Sequence, residues 1–170
     1  MSGNEQDCHP LRRLCRARSH PNWKIPNKST RSRSSAARSH ATRHRPFDVK
    51  LAPQPAEESA GSPSISRMLL DKQFHGDLEA TSKGTMLAAG SGAKGSSGGY
   101  VALEIVTGSL KGHTGTFVLQ HSATMTRGTP ALIITVVPDS GTGQLVGLTG
   151  RMSIEIANGK HTYIFDYTLP

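Results

Sequence analysis

Aromatic residues are scarce in this chain of 170 residues, with four Phe, three Tyr and one Trp. Cysteine is scarcer still. Cys8 and Cys15 both lie near the N-terminus, so no disulfide framework and no cysteine zinc site can organise the rest, and a reducing, cytoplasmic setting is the expectation. Long apolar runs are also missing. The longest, Ala131 to Val137, falls far short of the roughly 18 residues that a membrane-crossing helix needs. The N-terminus is too rich in Arg for a secretory leader, so no membrane partner is expected. Helical periodicity is the last absence. No segment after residue 46 keeps a 3.6-residue apolar period over three turns, which argues against a parallel sheet with crossover helices.

What is present divides into two parts. Residues 1–46 carry eleven Lys or Arg against Glu5 and Asp7, a net of +9, while residues 47–170 carry nine basic against ten acidic side chains, a net of −1, and the two sum to the chain's +8. The basic part has almost no aliphatic residues beyond Leu11, Leu14 and Ile25. It cannot bury enough apolar surface to offset a backbone ordering entropy of roughly 1–2 kcal/mol per residue, so 1–46 reads as a disordered Arg/Ser-rich extension. Its arginines could neutralise phosphates, and Trp23 could stack on a base. No nucleic-acid-binding fold accompanies them, and the near-neutral remainder has no basic groove to extend, so nucleic acid is not the expected partner.

From Phe47 onward the pattern is β structure. Phe117, Leu119, His121, Ala123 and Met125 alternate with Val118, Gln120, Ser122 and Thr124. Val101, Leu103 and Ile105 alternate with Tyr100, Ala102 and Glu104, and the same period recurs at Met152, Ile154, Ile156 and at Tyr163, Phe165, Tyr167. Ala131 to Val137 reads as a strand covered on both faces. Residues 65–89 form one bent strand or two, with Gly76 and Gly84 as the bend or turn positions. Asn158-Gly159 between two strand patterns marks a hairpin, and Gly108, Gly112 and Gly115 punctuate further turns. Seven or eight antiparallel strands in residues 47–170 fit an all-β domain that is a closed barrel or a sandwich, and a barrel of about eight strands is favoured because closure removes exposed edges.

Two motif matches carry no chemistry. Gly90-Ser-Gly-Ala-Lys-Gly95 fits the dinucleotide pattern G-x-G-x-x-G, and Gly95-Ser-Ser-Gly-Gly99 fits the nucleophile elbow G-x-S-x-G. Both need a helix to follow, and a strand pattern follows instead, so residues 90–99 read as a mobile glycine-rich loop. His75, Asp77 and Glu79 alternate without a recognisable second pair of ligands, which favours a solvated face over a metal site. His121 lies on the apolar side of its strand. Glu104 shares a side with Tyr100 and Ala102 and points either to solvent or into the lumen, where desolvation would raise its pKa.

Pro138-Asp-Ser-Gly-Thr-Gly-Gln-Leu-Val-Gly-Leu-Thr-Gly150 resembles the glycine-rich turn of allene oxide cyclase-like and dirigent-like barrels. Asp71-Lys-Gln-Phe-His-Gly-Asp-Leu-Glu-Ala-Thr-Ser-Lys-Gly84, Phe117-Val-Leu-Gln-His-Ser-Ala-Thr-Met125 and Val136-Val-Pro-Asp-Ser-Gly-Thr-Gly143 resemble, in order, a bacterial family catalogued as domain of unknown function 3224. The resemblance covers residues 47–170 and implies an eight-stranded antiparallel barrel of the allene oxide cyclase type. It transfers no activity, because the cyclase cavity residues have no positional match here. The expected function is binding of a small apolar or amphipathic molecule in the lumen, oriented by Tyr100, Glu104, Gln120 and His121. Gln120 and His121 face opposite ways, so at most one can enter the lumen. An isomerase or cyclase using Glu104 or His121 in proton transfer is one alternative, and a self-associating structural barrel is another. No cofactor and no metal is called for.

Overall fold

Dipeptides ending in glycine set the turns on which the sheet is built. Lys111-Gly112, Arg127-Gly128 and Asn158-Gly159 all have positive φ at both residues, the tight-turn conformation that matches the twist of paired strands. The computed structural model describes residues 38–41, 44–55 and 65–170. Nine strands run through them: β1 (Arg38–Ala41), β2 (Arg45–Pro53), β3 (Ile65–Phe74), β4 (Leu78–Gly90), β5 (Gly98–Leu110), β6 (His113–Thr126), β7 (Thr129–Val136), β8 (Thr149–Ala157) and β9 (Lys160–Leu169).

Strands β2 to β9 pair in chain order, all antiparallel. The ring closes where Arg45 to Phe47 of β2 meet Tyr163 to His161 of β9. β1 lies along the same edge of β9, opposite Asp166 to Leu169. The result is an eight-stranded closed barrel, as the sequence pattern predicts, with β1 continuing the position of β2. β1 and the first two residues of β2 precede Phe47, so the sheet starts earlier than the alternation signalled. Arg38, Ser39 and His40 are polar, and their pairing comes from the backbone of β9 rather than from an apolar face of their own. The remainder of the Arg/Ser-rich extension, 1–37 and 42–43, lies outside the described residues.

Period-two alternation turns one side of each strand into the lumen, and the large inward side chains fill one end of it. Phe117, Phe165 and Tyr167 stack, with centroid separations of 5.8 and 5.2 Å. Phe74 meets Tyr163 edge-on at 5.4 Å. The Tyr163 hydroxyl accepts from Leu78 N and donates to His75 O, which ties the β3–β4 turn to β9. Burial of that phenol pushes its pKa up to about 12. The link from β7 to β8 closes this end. Ser140 and Gln144 accept bonds from the backbone of β6 at Val118 and Thr114, Thr142 exchanges several with Thr116, and Leu145 and Leu148 are buried beneath. Gly115 permits this contact, because a Cβ there would collide with the Thr142 carbonyl oxygen.

Three sequence expectations change. Residues 65–89 form two strands with the turn at Gly76, one of the two alternatives, whereas Gly84 is no turn and lies inside β4. Gly108 and Gly115 pair with each other within β5 and β6, leaving Gly112 as the turn residue. β7 is not covered on both faces, since Ile133 is 58% exposed. Among the described residues its outer side meets no second layer, because in a single-walled barrel only the inward residues are enclosed.

Candidate functional site

Four inward-facing positions on four consecutive strands are polar: Lys72 on β3, Ser82 on β4, Glu104 on β5 and His121 on β6. All four are buried. Glu104 is their hub. Its Oε1 accepts from Lys72 Nζ at 2.8 Å and from His121 Nε2 at 3.0 Å, and its Oε2 accepts from Ser82 Oγ at 2.9 Å. An ionised carboxylate only accepts, so His121 carries a proton on Nε2. The Lys72 ammonium also lies 5.7 and 5.8 Å from the ring centroids of Phe47 and Phe74, within cation–π range. Gly84 pairs with Glu104 across β4 and β5. A Cβ at Gly84 would sit 2.6 Å from that of Glu104, so the missing side chain leaves the room Glu104 occupies.

Burial pulls the Glu104 carboxyl toward protonation. The His121 hydrogen bond and the Lys72 ammonium outweigh it, and the pKa is held below its ordinary value. A lowered folded-state value means that the ionised group stabilises the fold above the unfolded-state pKa, and that this contribution is lost as pH falls through the folded value. Urea midpoints should therefore be insensitive to this group near neutrality and decline on the acid side of the ordinary carboxyl range. A Glu104→Gln variant followed over the same pH series should show a shallower decline, and equal slopes would contradict the assignment.

The other end of the lumen, toward the glycine-rich β4–β5 connection, holds a cavity of about 830 Å³. Met68, Ala88, Tyr100, Ala123, Leu132 and Ile156 are among the residues around it, and among the described residues Lys94 in the connection is the one charged residue of its lining. Alanine and glycine on β4, β5 and β6 leave the space that larger inward residues occupy at the closed end. The wall is loose on one side. β7 and β8 share only the pairs Ile134–Met152 and Thr135–Arg151, while Leu132 and Ile156, farther along these strands, border the cavity. Tyr100 joins cavity and polar cluster. Its ring centroid lies 6.4 Å from that of His121, and burial, with the Glu104 charge adding to it, raises its phenol pKa.

A family model described as a protein of unknown function (DUF3224) matches residues 44–167, which include every residue of the cluster and the cavity wall. The chain belongs to the DUF3224 family. A similar solved structure is that of a protein with unknown function from the same family of Shewanella oneidensis MR-1. Sequence identity is 46%, covering 79% of this chain and 98% of that one, with a TM-score of 0.70. No curated protein matches the chain.

Within this DUF3224 barrel the four residues singled out from the sequence separate. Tyr100 borders the cavity. Glu104 and His121 are bonded to each other in the lumen beside it. Gln120 is exposed on the outer wall. Lys72 and Ser82 were not foreseen, although a signal existed: Lys72 sits between Leu70 and Phe74 at the same parity, a charge inside an apolar alternation. β5 also reverses the usual rule, since Val101, Leu103 and Ile105 are 55%, 56% and 58% exposed while Glu104 faces inward. Hydrophobicity alone would orient this strand the other way. The alternating His75, Asp77 and Glu79 fall at the β3–β4 turn, where His75 meets Asp48 at 3.2 Å and Asp77 meets Arg45 at 3.4 Å and Lys111 at 3.6 Å.

Proposed function

We propose that this barrel binds one small apolar or amphipathic molecule in the open end of its lumen. The observation that carries this reading is the cavity itself. Its volume of about 830 Å³ falls within the roughly 300–1,000 Å³ of small-molecule sites, and its inward side chains remain partly uncovered, with Met125 and Leu132 each 39% and Ile156 65% exposed. Leaving such side chains wet forgoes about 25 cal/mol per Å² of apolar burial, which a ligand would recover. Tyr100 supplies an aromatic surface and a hydroxyl for a polar group on the ligand. The cluster around Glu104 then acts as a rigid base that holds β3 to β6 in register below the site.

Acid–base catalysis by Glu104 and His121 is the competing reading. It requires the substrate to touch His121 or Glu104, and neither borders the lumen cavity; His121 enters the lining of a shallower groove of about 430 Å³ instead, where it is 3% exposed, and Glu104 is 1% exposed. Binding is therefore the better supported function. Titration of the full chain with N-phenyl-1-naphthylamine, a neutral apolar dye whose fluorescence rises on leaving water, should give saturable binding of one dye per chain. A linear, unsaturable response would overturn the proposal.

A further inference from the structure

The outer wall carries a second apolar feature that the lumen does not explain. Leu69, Leu87, Val101, Leu103 and Ile105 stand on the outer face of three adjacent strands, each 40% to 58% exposed. Cross-strand register brings them together, since Leu87 pairs with Val101, and Leu69 and Leu103 flank Thr85 in one row. A shallow groove of about 430 Å³ runs along Thr85, Leu87, Val101, Leu103 and Gln120, with Ala102 and His121 also in its lining. Five large aliphatic side chains this exposed on three adjacent strands form the kind of contiguous patch that marks a contact site.

We infer that this face is an isologous interface with a second copy of the chain. Three observations select that occupant. First, the N-terminal residues 1–37 cannot supply a matching surface, since Leu11, Leu14 and Ile25 are their only Leu, Ile or Val. Second, the rim carries both signs, with Arg67 on β3 and the cross-strand pair Asp71–Lys83 at 3.1 Å, and residues 47–170 are nearly neutral at −1. A second copy therefore meets complementary charge, whereas an anionic lipid surface would call for a uniformly basic rim. Third, Thr85, Gln120 and Ser122 are cross-strand neighbours of these side chains, and Ile133 pairs with Ser122. They extend the face toward the roughly 800 Å² per partner of a standard interface, the polar ones able to bond across a two-fold axis. Outward Val101, Leu103 and Ile105 and inward Glu104 are then two sides of one arrangement, with β5 giving its aliphatic residues to the partner and its carboxylate to the lumen.

Light scattering on the full chain at about 50 μM should report twice the 18.1 kDa chain mass. Leu103→Asp should return the chain mass, with an unchanged circular dichroism spectrum, while Ser153→Asp on the outer face of β8 should leave the dimer intact. A monomeric wild type up to several hundred micromolar overturns the inference whatever the variants do. So does a dimer that survives Leu103→Asp, or a monomer that floats with phosphatidylcholine vesicles. Dye binding in the lumen is a separate readout, so failure of either proposal is visible without the other.

Discussion

Glu104→Gln should lower the unfolding free energy by about 3–5 kcal/mol, the usual penalty for removing one partner of a buried ion pair. The carboxylate accepts three bonds, from Lys72, His121 and Ser82. A neutral amide keeps the shape but leaves the Lys72 ammonium without a counter-charge among buried apolar neighbours. The flanking rings of Phe47 and Phe74 offset little of this, since a cation–π contact is worth about 0.5–2 kcal/mol. Combining the change with Lys72→Met should restore most of the loss, because removing both charges together is often neutral. Urea unfolding of the wild type, the single and the double variant forms the test. A single variant within about 1 kcal/mol of wild type would show that the pair is solvated and the lumen is not sealed at this level.

Ala123→Trp should weaken dye binding more than tenfold, equivalent to about 1.4 kcal/mol or more, with little change in stability. Ala123 faces inward on β6, borders the cavity and pairs with Tyr100, so an indole there takes up the space a ligand would occupy without entering the packed end. Leu103→Asp, on the opposite side of the same wall, should leave the dye affinity unchanged. Competition between dye and unlabelled amphiphiles can then rank ligands by chain length and head group. Affinity that survives Ala123→Trp would move the dye site out of the lumen.

The architecture is legible because two short-range rules hold over most of it, namely alternation along the strands and tight glycine turns at Lys111-Gly112, Arg127-Gly128 and Asn158-Gly159. Asn158-Gly159 and the runs at residues 117–125 and 163–167 carry that information locally. What was not legible depends on neighbours distant in sequence. Lys72 and Glu104 are 32 positions apart, and nothing in either segment alone says that the charges meet; only the order β3–β4–β5 and the missing side chain of Gly84 bring them together. The orientation of β5 misleads for a related reason. Val101, Leu103 and Ile105 form the greasier side, and the buried carboxylate is tolerated inside only because Lys72, Ser82 and His121 arrive from other strands. The outward turn of Gln120 follows from the inward turn of His121 by parity, so fixing one residue fixed the other. β1 carries no apolar alternation: main-chain pairing with β9 and the His40 ring stacked on Tyr167 at 5.3 Å hold it there.

The most direct test of the lumen as a binding site is a crystal structure of the wild-type chain soaked with a bromine-labelled naphthyl amphiphile, read by anomalous scattering. One bromine peak per chain is expected among Tyr100, Ala123, Leu132 and Ile156, with the Glu104 cluster unchanged beneath it. A peak over Leu103 on the outer wall, or a cavity that stays empty at saturating probe, would contradict it.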